Sequence, residues 1–473
     1  MVSKSSLAPL QKVISTDKYY MDACLMEDVS VICINKTTKK DKFMPFKVLH
    51  DNNDQFWLQN EAWEYFIAKD DLAKIEERAA KIKNQWEHPV IAEPVTTKPA
   101  PATAEAANDP PDQGWGDEYE DFAAMPEEER TSHIKECKNR LDTLIAQKPR
   151  PEQLVTEALV ETTRDAVMYN YASLADVMDL SEEDAKKHTH EMAVHTHNLV
   201  KASSELISEN VFNNDLMNAL VSKSNGTIIQ HMTRVYLKGV AFLSYYNKLV
   251  STSSIINKLR ISFNKKYRNF YHALLPHLPP EDITLEKVFH GGMRAIPEET
   301  FLNWAVGFLV HDIGKATAIE YHEGEAAYNR DIVVEHVKVG YSSIVNKTSY
   351  PKDAGLITGY HHEYYGDPSG YGFYRASLEQ NRKLNPHIKL NSCIAYDLEP
   401  MEGFEALAFF PAKVLEIVDV FDSLTDPNRK YRKAMTTEEA LAVMQEDFIN
   451  KHPKIDIILF DLFLKFIHET HTS

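Results

Sequence analysis

The chain has 473 residues, 43% of them hydrophobic, with a formal net charge of -18 and a pI of about 5.6. That length and apolar content allow two to three domains with sizeable cores. The acidic balance excludes a non-specific binder of nucleic acid polymers or anionic membranes, so an anionic substrate needs a local cationic patch.

Four cysteines, Cys24, Cys33, Cys137 and Cys393, form no CxxC pair. This fits a reducing cytoplasm and argues against structural zinc. MVSKSSLAPLQKV lacks an apolar signal core. The apolar stretch IDIILFDLFLKFI is broken by Asp461 and Lys465, so no membrane span is expected.

Residues 1–86 read as a small α/β accessory domain. VSVICI (Val29 to Ile34) is β-branched and strand-like, and KFMPFKVLH and AWEYFIA offer further short apolar segments. Lys69 to Lys83 carries Leu72, Ile75, Ala79 and Ile82 at helical spacing. Two roles stand side by side for this domain: sensing a ligand or a signalling partner, and packing as a homodimer module.

Residues 87–126 read as a flexible linker. Pro89, Pro94, Pro99, Pro101, Pro110 and Pro111 lie among Ala, Thr and acidic residues, and an acidic patch, DEYEDF, closes the segment. Residues 127–225 turn helical and form a connector. SEED (Ser181 to Asp184) offers an N-terminal cap for a helix containing His188, His190, His195 and His197. No two of those histidines are four apart, so they are read as a solvated face.

Residues 226–473 read as helical and carry an ordered series of ligand-type side chains: His231, His311, Asp312, His336, His361, His362 and Asp419. Five imidazoles and two carboxylates make a nitrogen and oxygen set without sulfur. Such a set suits two divalent ions, with iron or manganese the leading candidates. FLNWAVGFLVHDIGK is an apolar helix running into His311-Asp312, and Pro411 fits the first turn of the helix that bears Asp419.

The words around these residues are HDIGK (311–315), HHEYYGDPSGYG (361–372), and IVDVFDSLT (417–425) followed by RKYRKAMTTEEAL. In this order they resemble the HD-GYP family, bacterial phosphodiesterases of the HD superfamily that degrade cyclic di-GMP. The resemblance spans about residues 226 to 470. It implies a mainly α protein with an HD-GYP-like catalytic domain, and hydrolysis of cyclic di-GMP by a hydroxide between two metal ions, either stopping at pGpG or continuing to GMP. His231, His311, Asp312 and Asp419 would then hold one ion. Asp312 would bridge to a second, held by His336, His361 and His362. Lys315 would stabilise charge on the phosphate, and Arg429 and Arg432, in NRKYRK, would bind phosphate oxygens. His290 is the rival to His231, and Asp422 and Thr425 are read as supporting or capping groups.

The chain departs from the family at several points. Thr227 stands where some members place a glutamate for a third ion, so two ions are expected. Gly372 replaces the proline of GYP, and a looser loop is expected there. A long insert, Ala376 to Phe409, and an unusual EYHEGEAAYN segment after HDIGK bear on substrate choice. Two rivals stand beside the main reading: hydrolysis of another nucleotide such as cyclic GMP-AMP, and a cyclic-dinucleotide receptor without turnover.

Overall fold

The computed structural model describes residues 6–14, 20, 24, 29–46, 62–87, 117–209, 228–252, 254–315, 330–365, 370–372, 374–387, 389–426 and 433–471. The chain divides into two compact units, Met1–Pro101 and Ala102–Ser473, and is mainly helical. Among the described residues no helix is long and apolar enough to cross a membrane.

The first unit is an antiparallel sheet of β1 (Leu7–Pro9), β2 (Ser30–Asn35), β3 (Asp41–Pro45) and β4 (Trp63–Ala68) in the order β1-β4-β2-β3. Short α1 (Leu10–Ile14) and long α2 (Lys69–Glu87) accompany it. β2, β3 and β4 fall on VSVICI and on the other two apolar segments, because β-branched and aromatic side chains fit a pleated, half-buried surface, while β1, of sequence LAP, was not expected. Val31, Cys33 and Ile67 share a small core with Leu10, Ile75 and Ala79.

The second unit begins with α3 (Asp117–Ala123), α4 (Glu127–Ile145), α5 (Glu152–Ala175) and α6 (Glu182–Glu209). Then come α7 (Ile228–Thr252), α8 (Ile255–Lys266), α9 (Arg268–Leu274), α10 (Leu285–Val288), α11 (Glu298–Leu309), α12 (Arg330–Lys347) and α13 (Lys352–Tyr360). The insert contributes α14 (Tyr374–Leu384), β5 (Ser392–Ala395), α15 (Leu398–Glu402) and β6 (Ala406–Phe409). The chain closes with α16 (Phe410–Thr425), α17 (Thr437–Gln445) and α18 (Ile457–His471).

One apolar core runs from Phe122 to Ile467, so the helices of 127–209 share a core with those that follow them. Two helices lie at its centre. In α7 every residue from Ile228 to Tyr246 is buried, and in α16 every residue from Phe410 to Leu424. A helix buried on all faces can keep polar side chains only where they meet partners. His231, Arg234 and Lys238 on α7 and Asp419 and Asp422 on α16 are such side chains.

Two expectations need correction. DEYEDF is not linker: it forms α3, whose Phe122 is buried and whose Tyr119 ring packs edge-on against Tyr171 at 6.3 Å. The acidic residues mark its solvent side. The C-terminal region is not wholly helical either, since β5 and β6 pair in parallel within the insert. As expected, Ser181 caps α6, its hydroxyl accepting from the Asp184 amide at 3.2 Å. His188, His190 and His197 are exposed on that helix.

Candidate metal centre

Helix ends and buried helix faces bring the seven ligand-type residues together. His231 sits in the first turn of α7. His311 and Asp312 follow directly on Val310, where α11 ends. His336 lies within α12, His361 caps the C-terminus of α13 with His362 next to it, and Asp419 is on α16. All seven are buried. Their donor atoms fall into two groups: His231, His311 and Asp419, and Asp312, His336, His361 and His362. His290 is in neither.

Asp312 stands between the groups. Its Oδ2 is 3.7 Å from His231 Nε2 and 3.6 Å from His311 Nε2. Its Oδ1 is 3.2 Å from His336 Nε2 and 3.6 Å from His361 Nε2. His231 Nε2 also lies 3.0 Å from Asp419 Oδ1, and His362 Nε2 lies 3.8 Å from Asp419 Oδ2.

The far sides of three rings are fixed. His311 Nδ1 is 3.0 Å from the Phe308 carbonyl and His361 Nδ1 is 2.8 Å from that of Thr358. These contacts put the N–H on Nδ1 and leave the Nε2 lone pair facing inward, as ligation requires. His231 Nδ1 meets Asp422 Oδ2 at 3.0 Å. Among the described residues, Nε2 of His311 and His361, Nδ1 of His362 and Oδ1 of Asp312 are buried without a hydrogen-bond partner. Buried polar atoms of this kind are costly unless a ligand or ion completes them.

The protonation states of His311, His362 and Asp312 suit cation binding, whereas the His231 ring, held by two carboxylates, must release a proton before it can ligate. Burial pulls His311 down to about 4, and burial with the neighbouring His361 holds His362 well below its ordinary value, so both rings are neutral. Burial opposes ionisation of Asp312, yet Lys315 and His311 hold it well below the carboxylate range. His231 is raised to about 9 because hydrogen bonds to Asp419 and Asp422 outweigh its burial. Lys315 is buried, and its Nζ donates to Asp312 Oδ2 at 2.8 Å.

Gly314 makes the approach of HDIGK to α12 feasible. A Cβ there would lie 2.0 Å from the His336 carbonyl oxygen and 2.6 Å from the Gly340 amide nitrogen. Both are backbone atoms with little room to yield. Gly314→Ala is therefore expected to push α12 away and part His336 from Asp312. Metal affinity should fall at least about tenfold, the scale for disturbing the support of a ligand. Titrating a divalent ion into the folded variant measures this, and unchanged affinity would show that the contact does not set the site.

Asp422 and Thr425 were expected as supporting or capping groups, while the buried cations that meet Asp422, and the part played by Glu363, were not evident in the sequence. Asp422 accepts from Arg234 at 2.9 to 3.1 Å and from Lys238 at 2.6 Å, besides contacting His231. Two cations four apart on an apolar helix were a readable sign of a buried anionic partner. Thr425 bonds back to the Phe421 carbonyl at 2.9 Å. Glu363, the last residue of HHE, accepts the backbone N–H groups of Tyr374 and Arg375 at 3.1 and 3.0 Å, capping α14.

Of the GYG loop, residues 370–372 are described and are closely packed. Tyr371 is buried, its ring is 4.5 Å from that of His362, and its amide donates to the His362 carbonyl at 3.0 Å. A Cβ on Gly372 would meet Glu363 Oε2 at 2.2 Å, so glycine here permits close packing.

Glu416, one turn before Asp419 on α16, is fully buried, with Lys413 Nζ 2.5 Å from its Oε2. Burial outweighs that ammonium and raises the carboxyl to about 8. Between its ordinary value of 4.5 and about 8 the unfolded chain ionises while the folded chain keeps the proton, so stability falls as pH rises. Glu416→Gln removes that titration and should be stabilising by on the order of a few kcal/mol at pH 8 relative to its effect at pH 5. Urea midpoints at both values test this; an equal difference at both would refute it.

Arg429, Arg432, Thr227 and the EYHEGEAAYN segment lie outside the described residues. Cavities of about 530 Å³, lined by His277, Arg382 and Lys389 among others, and about 510 Å³, lined by Lys201, Asn247 and Phe301 among others, share no residue with the site.

No family model, no curated protein and no solved structure matches the chain.

Proposed function

We propose that the chain is a metal-dependent phosphodiesterase of the HD-GYP kind, which hydrolyses cyclic di-GMP to pGpG and onward to GMP. One observation carries the proposal: the two oxygens of Asp312 face separate groups of histidines, as a carboxylate shared by two ions would. His231, His311 and Asp419 would hold one ion and His336, His361 and His362 the other. The donor set is nitrogen and oxygen only, which favours iron or manganese.

Such a pair supplies a nucleophile from water near neutral pH and offsets negative charge on the phosphate. The protein's own contribution is positional. The Phe308 and Thr358 carbonyls fix the tautomers of His311 and His361. Burial excludes bulk water from the seven donors and strengthens their field. Lys315 places an ammonium beside Asp312, where developing charge on a phosphate oxygen is stabilised. Arg429 and Arg432 would bind phosphate oxygens of the substrate.

The test is chromatographic. Protein loaded without oxygen with Fe(II), or separately with Mn(II), is incubated with cyclic di-GMP, cyclic GMP-AMP and a linear (p)ppGpp, and the products are resolved over time. The proposal expects pGpG, then GMP, from cyclic di-GMP. Turnover of another nucleotide alone would reassign the substrate. Tight cyclic di-GMP binding without product would make the chain a receptor.

A further inference from the structure

A second convergence of ligand-type side chains lies where α4 meets α5. His133 and Cys137 are one turn apart on α4, so both leave the same helix face, and Asp165 comes from α5. His133 Nε2 is 3.0 Å from Asp165 Oδ2, Cys137 Sγ is 3.5 Å from the same Nε2, and Cys137 Sγ is 3.4 Å from the same Oδ2. One nitrogen, one sulfur and one oxygen thus form a closed triangle.

The two edges of the triangle that end on sulfur, 3.5 and 3.4 Å, have the length found in a metal site, and the nitrogen–oxygen edge, 3.0 Å, has to open by about 0.3 Å to join them. With usual zinc–nitrogen, zinc–oxygen and zinc–sulfur bonds, the edges between tetrahedral ligands are about 3.3 to 3.6 Å. The side chains are also held in place. Arg164 Nε lies 3.3 Å from Asp165 Oδ1, which leaves Oδ2 for the triangle. The His133 ring packs edge-on against Phe122 at 5.7 Å. Access is open, because the His133 side chain is 40% exposed while that of Asp165 is 7% exposed.

A cysteine, histidine and aspartate together also evoke a nucleophilic triad. The geometry opposes that role. A relay needs the thiol on one ring nitrogen and the carboxylate on the other, whereas here both contacts fall on Nε2.

We infer that His133, Cys137 and Asp165 bind a single divalent ion of the zinc class, with its fourth position open to water. Sulfur in the set selects zinc, cobalt or nickel over magnesium, calcium or manganese. As the ion binds, the Cys137 thiol gives its proton to solvent and the sulfur forms the metal bond, with no change of oxidation state. The site uses a lone cysteine rather than CxxC pairs. It ties α4 to α5 and stands apart from the Asp312 centre in donor chemistry, so it does not depend on the function proposed for that centre.

Cobalt distinguishes the two. Co(II) is titrated into the full chain, without oxygen and with a non-thiol reductant, while the near-ultraviolet sulfur-to-cobalt charge-transfer band is followed. The Asp312 centre has no sulfur donor, and Cys24, Cys33 and Cys393 are buried. The expected result is a band that saturates at one equivalent of bound sulfur-ligated cobalt, vanishes in Cys137→Ser and persists in Asp312→Ala. His133→Gln, with its fold checked by circular dichroism, should keep the sulfur but weaken cobalt binding at least about tenfold. No band in the wild-type chain, an undiminished band in Cys137→Ser, or undiminished affinity in folded His133→Gln would overturn the inference.

Discussion

Asp312→Ala is expected to abolish two-ion binding and turnover together. Asp312 places one oxygen within 3.7 Å of both His231 and His311 and the other within 3.6 Å of both His336 and His361, whereas Asp419 reaches the second group at His362 alone, at 3.8 Å, so Asp419 is a poorer shared ligand. Two-ion charge stabilisation is worth several kcal/mol, so the loss in rate should be about a thousandfold or more. Asp312→Asn separates charge from shape: it keeps the volume, removes the negative charge, and should bind ions nearly as poorly. Metal content per chain and the rate of pGpG formation are the readouts. Two ions and an unchanged rate in Asp312→Ala would sink the assignment.

The second large effect is expected at Asp422, and it falls on stability before chemistry. Arg234, Lys238 and His231 all meet this carboxylate deep in the core, which holds it well below the usual carboxylate range against its burial. Its removal leaves two buried cations without their shared anion. Breaking such a network costs roughly 3–5 kcal/mol. Arg234 also donates to Asp426 at 2.8 Å, which places the expected cost of Asp422→Ala towards the lower end. Urea unfolding should show the loss. In the chain that remains folded, His231 lacks the acceptor for its Nδ1, so affinity in its donor group should fall about 10–100-fold. Unchanged stability would mean that the network is solvated and does not hold α7 to α16.

The sequence carried some parts of this account better than others. His311-Asp312 and His361-His362 were legible because each pair lies in a short word with a recognisable continuation. His231, His336 and Asp419 were legible from weaker contexts. The division of Asp312 between two groups was not, since it depends on how α7, α11, α12, α13 and α16 cross. The Asp422 network joins residues 184 to 191 positions apart, beyond the reach of local pattern, although Arg234 and Lys238 on one apolar face hinted at it. DEYEDF was misread because its acidic residues hid Tyr119 and Phe122, three apart on the packed side. β5 and β6 have four residues each, too few for a periodic signal. Gly372 shows that a glycine can mark close packing as readily as freedom: the decisive neighbour, Glu363, is set by the turn of the chain and not by adjacent sequence.

The central claim is that one carboxylate serves two ions. Anomalous diffraction from crystals of the Mn(II)-loaded chain tests it most directly. Two peaks are predicted, one among His231, His311 and Asp419 and one among His336, His361 and His362, with Asp312 bonded to both. A single peak, or two peaks that do not share Asp312, would contradict it.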